Sequence, residues 1–150
     1  MNIGIDLDGV LTNFNEFCMS YGTKYASEIG KGKIVNSKGY ESIEIFSWDR
    51  QTDMEFWEKY NSQYAVEEKP RPFAKEVLNK LKADEHKIYI ITARASEFED
   101  IEAQSKMQDM VRNWFKNNEL YYDELIFSTV NKLENCSCLL YTSDAADDKA

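Results

Sequence analysis

The chain has 150 residues, 43% hydrophobic and 13% aromatic. That is enough for a real core, and the composition is globular, not disordered. A net charge of -9 argues against a nucleic-acid partner or an anionic membrane, because like charges repel; a small phosphorylated substrate stays open, since a metal and local positive charge override the global field. No stretch approaches a membrane span, and the N-terminus shows no basic region followed by a hydrophobic one.

Residues 3–12 read IGIDLDGVLT. A β-branched apolar run predicts a first strand, and it ends in Asp6 and Asp8, two positions apart. Residues so spaced point the same way on a strand, so two acids would converge on one point. Like charges that close repel unless a cation or a proton lies between them. A hard divalent ion with oxygen ligands, Mg²⁺, would remove the conflict, with Asp6 and Asp8 as its ligands. Plainer readings compete. Asp8-Gly9 is also a hairpin-turn dipeptide, and Asp8 or Thr12 would cap a following helix. A calcium loop fits poorly, because its fifth and sixth positions would be Val10 and Leu11.

Next, Phe14, Phe17, Cys18, Tyr21 and Tyr25 recur at helical spacing, and Gly30 and Gly32 end that helix. After a loop at 36–39, Phe56, Trp57, Tyr60 and Tyr64 form a second helical stripe. Residues 12–69 therefore read as an aromatic-rich helical insert. Its tyrosines, Phe46 and Trp48 are mostly core by type, and are also candidates for stacking on a flat ligand. Pro70-Arg71-Pro72 closes the insert. Phe73, Val77, Leu78 and Leu81 predict the apolar face of the next helix. His86, among charged neighbours, reads as a solvated loop residue and not as a base.

Residues 87–92 (KIYIIT) predict a second buried strand ending in Thr92, with Arg94 just beyond. A long helix follows, with Met107, Met110, Val111, Trp114 and Phe115 on one stripe. The acidic stretch 97–102 reads as a solvated loop and helix start. A third strand spans 124–128, and Lys132 lies four residues past it. Three cysteines, Cys18, Cys136 and Cys138, make no disulfide or zinc pattern, which points to a reducing cytoplasm.

Hydrophobic strands alternating with helices predict an α/β fold with a parallel three-layer sheet. Ligands bind outside the carboxyl ends of such strands. Asp6, Asp8, Thr92, Ser128 and Lys132 all fall on that edge. A phosphomonoester placed there would be attacked by Asp6, giving a phospho-aspartate. Asp8 would serve as acid and then base. Thr92 would donate to a phosphoryl oxygen, and Lys132 would hold the charge that develops in the transition state. A cation would bridge nucleophile and phosphate.

Residues 6–10 (DLDGV), 90–94 (IITAR) and Lys132 together resemble the first three motifs of the haloacid dehalogenase-like superfamily, over residues 1–137. The resemblance implies a Rossmann-like core over 1–13 and 70–137, and a helical cap over 14–69. An acid at position 8 is what phosphatases of that superfamily carry. Residues 6–12, with 71–73 (RPF) and 92–94 (TAR), are similar to its 5′-nucleotidase type C branch, which dephosphorylates pyrimidine deoxynucleotides. The implied activity is a Mg²⁺-dependent phosphomonoesterase acting on a small phosphorylated metabolite such as a (deoxy)nucleoside monophosphate. Alternatives on the same scaffold are a magnesium- or phosphate-binding module without turnover, a phosphomutase and a phosphotransferase.

The fourth motif of that superfamily, an apolar strand ending in metal-binding acids, is not plain here. In one reading, residues 138–141 form a short strand and Asp144, Asp147 or Asp148 supplies the acid, although the interval after Lys132 is short for a crossover. In the favoured reading, 138–150 is a non-native tail resembling a translated sequencing adapter. The core would then be incomplete. One edge of the first strand would be bare, the metal would lack a ligand, and the chain would be weakly active and poorly soluble.

Overall fold

The computed structural model describes residues 1–128. In chain order its elements are β1 (Asn2–Asp6), α1 (Phe14–Ile29), α2 (Ser42–Ile45), α3 (Arg50–Glu67), α4 (Ala74–Ala83), β2 (Lys87–Thr92), α5 (Ile101–Asn117) and β3 (Glu124–Phe127). The described chain is therefore mixed α/β, with five helices and one three-stranded parallel sheet. None of these helices is long and apolar enough to cross a membrane. Contacts divide the chain into two units: Met1–Thr12 with the chain from Lys69 onward, and Asn13–Glu68. Lys132, Cys136, Cys138 and the acids at 144, 147 and 148 lie outside the described residues.

In the first unit the strands run in the order β1-β2-β3. Asp6 pairs with Ile91, and Thr92 with Phe127, so the three strands end level with one another. β2 is central. Ile88, Ile90, Ile91 and Thr92 are all buried, which a strand covered on both faces requires. Asp123 locks the start of β3 to β2. Its backbone N–H donates to the Ile88 carbonyl at 2.8 Å, and its Oδ2 accepts from Ile88 N at 2.7 Å. In α5, Met107, Val111, Trp114 and Phe115 are the buried positions, spaced by helical turns.

Helix α4 packs on β2, though not with the face its sequence predicts. The helix begins at Ala74, and the inward row is Ala74, Leu78 and the half-buried Leu81, at i, i+4 and i+7. Phe73 precedes that row at φ 68° and is 74% exposed, and Val77 is also exposed. Four apolar residues fit one helical stripe by count, but the starting residue decides which of them turn inward.

The second unit is an aromatic cluster. Asn13 caps α1 by accepting from Glu16 N, and Gly30 ends it in the left-handed conformation. Phe17, Tyr25, Phe46, Trp48, Phe56, Tyr60 and Tyr64 are all buried together. Phe46 stacks on Trp48 with centroids 4.3 Å apart, and Trp48 meets Phe56 at 5.3 Å. The rings of Phe46 and Trp48 are thus covered by protein, which overturns their candidacy for stacking on a base; so are those of Tyr25, Tyr60 and Tyr64. Polar groups inside are satisfied. Ser42 Oγ and Trp48 Nε1 donate to Asp53 Oδ1, and Trp57 Nε1 donates to Ser42 Oγ. Cys18 is a free thiol buried here, and burial pushes its pKa up.

Candidate active site

β1 ends at Asp6, and the chain turns at once. Leu7 is fully buried. Its carbonyl accepts from Val10 N (3.3 Å), Leu11 N (2.9 Å) and Thr12 N (3.2 Å), and from the Thr12 hydroxyl at 3.5 Å. Thr12 Oγ1 accepts in turn from Gly9 N at 3.1 Å. Such a tight loop needs a left-handed residue, and Gly9 supplies it at φ 79° without a Cβ penalty. Strand alternation therefore carries Asp6 only, while Asp8 is aimed by the turn. The hairpin alternative for Asp8-Gly9 is excluded, because β1 pairs with β2 in parallel. Thr12 braces this loop, and the cap of α1 is Asn13.

Two further ties fix the loop. Asp6 Oδ1 accepts from Leu7 N at 2.8 Å. Arg71 donates from Nε to the Thr12 carbonyl and from Nη2 to the Gly9 carbonyl, both at 3.1 Å, while its backbone N–H bonds the Leu11 carbonyl at 2.7 Å.

At the end of β2, Thr92 is fully buried and its Oγ1 accepts from Arg94 N at 3.2 Å, so its hydroxyl proton is what it has to donate. Ser128 N extends the ladder to the Thr92 carbonyl at 2.9 Å. Ala95 follows in the left-handed conformation, φ 69°, and is buried. This turn directs the Arg94 guanidinium onto Asp8. Nε lies 2.9 Å from Oδ1 and 3.2 Å from Oδ2, and Nη2 lies 2.5 Å from Oδ1. Glu97 stands within electrostatic reach of this pair. Desolvation first, and then the Asp8 charge, raise its pKa, while Arg94 opposes them.

The fold therefore brings Asp6, Asp8, Thr92 and Ser128 to one edge of the sheet, whereas Lys132 lies outside the described residues. Among the described residues, Arg94 places a cation on Asp8. Among the described residues, no group of three or more His, Cys, Asp or Glu side chains is arranged to hold a metal. Asp6 and Asp8 remain two hard oxygen donors, and Mg²⁺ commonly takes one or two carboxylates and completes its shell with water and substrate phosphate. Sequence reasoning missed the grip of Arg71 on the loop and that of Arg94 on Asp8. The only local signal was a charged residue directly after each buried or turn-forming segment. No protein-family model, curated protein or solved structure matches this chain, so the site is read from its own residues.

Proposed function

We propose that this chain is a Mg²⁺-dependent phosphomonoesterase of the haloacid dehalogenase-like type, acting on a small phosphorylated metabolite such as a nucleoside monophosphate. One observation carries the reading: Asp6 and Thr92 terminate neighbouring parallel strands at the same edge, and a tight glycine turn sets Asp8 beside them.

In this reading an Asp6 carboxylate oxygen attacks phosphorus. The bond from phosphorus to the leaving oxygen breaks, and its electron pair stays on that oxygen, which takes a proton from Asp8. Water then attacks the phospho-aspartate and gives its proton to Asp8, and the bond from phosphorus to Asp6 breaks to release phosphate. The Thr92 hydroxyl donates to a phosphoryl oxygen. Mg²⁺ held by Asp6 and Asp8 would supply the positive charge that lets a carboxylate approach a phosphate.

Phosphate release from p-nitrophenyl phosphate and from a panel of nucleoside monophosphates, with and without Mg²⁺, tests this. Asp6→Asn should abolish release while the circular dichroism spectrum is unchanged. Acid-quenched protein should carry a phosphoryl group on Asp6 by peptide mass spectrometry. Full activity in Asp6→Asn would remove the nucleophile assignment.

A further inference from the structure

The second unit holds a cleft of about 340 Å³ between the last turns of α1 and the chain that follows it. That volume falls at the lower end of the range for small-molecule sites. Ala26, Ile34 and the small part of Phe46 left open by its neighbours give the cleft apolar walls. Gly30 and Gly32, left-handed at φ 64° and φ 92°, turn the chain on either side of Lys31. A Cβ on Gly30 would meet nothing within 4 Å, so the space beside it is open.

The surroundings are positive in a negative chain. Residues 29–40 (IGKGKIVNSKGY) carry three lysines and no acid, whereas the whole chain has 27 acids against 18 lysines and arginines. The negative end of a helix would by itself repel an anion. Here the Ala26 and Ser27 carbonyls are already occupied, by Lys31 N at 3.1 Å and Gly30 N at 3.3 Å.

The two lysines that line the cleft are used differently. Lys31 Nζ lies 3.1 Å from both Asp49 Oδ2 and Thr52 Oγ1. Lys33 is anchored through its backbone: its N–H donates to Ser47 Oγ at 3.1 Å, and its carbonyl accepts from Ser47 N at 2.9 Å. Among the described residues its ammonium makes no hydrogen bond or ion pair with protein. Antiparallel pairing of Ile34 with Phe46 fixes the same segment. A held backbone thus presents an uncommitted cation beside apolar walls, with Ser27 also lining the cleft. Such preorganisation lowers the ordering cost of binding.

We infer that this cleft binds a small organic anion, with its charged group on the Lys33 ammonium and its apolar body between Ala26 and Ile34. Every residue involved lies in the second unit, so binding here stands or falls apart from the phosphatase reading.

The probe is naphthalene-1-sulfonate, titrated into the full chain and followed by backbone amide NMR shifts. About 14 non-hydrogen atoms at the efficiency of drug-sized ligands give a Kd of about 1 mM. Saturable shifts should gather on the Gly30, Gly32 and Ile34 amides. Lys33→Ala should weaken binding about fivefold, the scale of an exposed charge contact, and Lys33→Arg should restore it. Ile34→Ser should weaken it about as much. Lys38 lies in the same acid-free stretch but does not line the cleft. In about 0.15 M salt, Lys38→Ala should change affinity less than about twofold, because screening removes distant attraction. Neutral naphthalenemethanol should bind about fivefold more weakly than the sulfonate. Inorganic phosphate should not displace the sulfonate. No saturation by about 10 mM, or shifts centred on other residues, would overturn the inference. So would equal weakening by Lys33→Ala and Lys38→Ala, a neutral analogue binding as tightly, or displacement by inorganic phosphate.

Discussion

Arg71 Nη2 donates to the carbonyl of Gly9 at 3.1 Å, joining residues 62 apart in the chain. Together with the Nε bond to Thr12, this arginine clamps the loop that carries Asp8. Arg71→Ala keeps the backbone bond to Leu11 and loses both side-chain bonds. Each is worth about 1 kcal/mol, so urea denaturation should show a loss of about 1–2 kcal/mol. Phosphate release should fall by about tenfold or more, since small misplacements of catalytic groups are costly. Unchanged turnover would show that the loop holds its shape without the clamp.

Phe73 combines a left-handed backbone, φ 68°, with a ring that is 74% exposed. An L residue other than Asn or Gly pays about 1–2 kcal/mol in that region, and an exposed ring returns little burial energy. Phe73→Asn should therefore raise stability by about 1 kcal/mol in urea titrations. A destabilised variant would mean that the ring packs in solution.

Gly22 lies in mid-helix, where alanine gains about 1 kcal/mol of propensity. A Cβ there would collide with the buried ring of Phe46. Phe46 is itself stacked on Trp48. Overpacking costs about 1–3 kcal/mol and wins. Gly22→Ala should lower the thermal midpoint, whereas Gly22→Ala with Phe46→Leu should recover much of the loss.

Asp123 accepts from Ile88 N and from the Tyr121 hydroxyl, and these bonds, the backbone one foremost, hold its pKa below the ordinary value. A depressed carboxylate contributes stability above its unfolded pKa of about 3.9, and loses it as pH falls through the lower folded value. At pH 7 the native chain should exceed Asp123→Ala by about 1 kcal/mol, the worth of a charge-assisted bond at a partly exposed site. That gap should hold down to about pH 4 and shrink below it. A gap independent of pH would assign the effect to packing.

Local features were legible from residue order alone. The run KIYIIT over 87–92 coincides with β2, because a β-branched apolar segment has one good environment, a strand covered on both faces. The helical stripe from Met107 to Phe115 and the Gly30 stop also follow from period and backbone freedom, which are properties of neighbouring residues. The level ends of β1 and β2, and hence the presence of Asp6 and Thr92 at one edge of the sheet, follow once parallel pairing is accepted. Tertiary structure alone brought Arg94, 86 residues away, onto Asp8. It also decided that Phe46 and Trp48 spend their faces on each other, and that Phe73 turns outward. Periodicity states which side of an element is apolar. It does not state what fills the facing space or which opposite charge arrives there, since both depend on where distant segments come to rest.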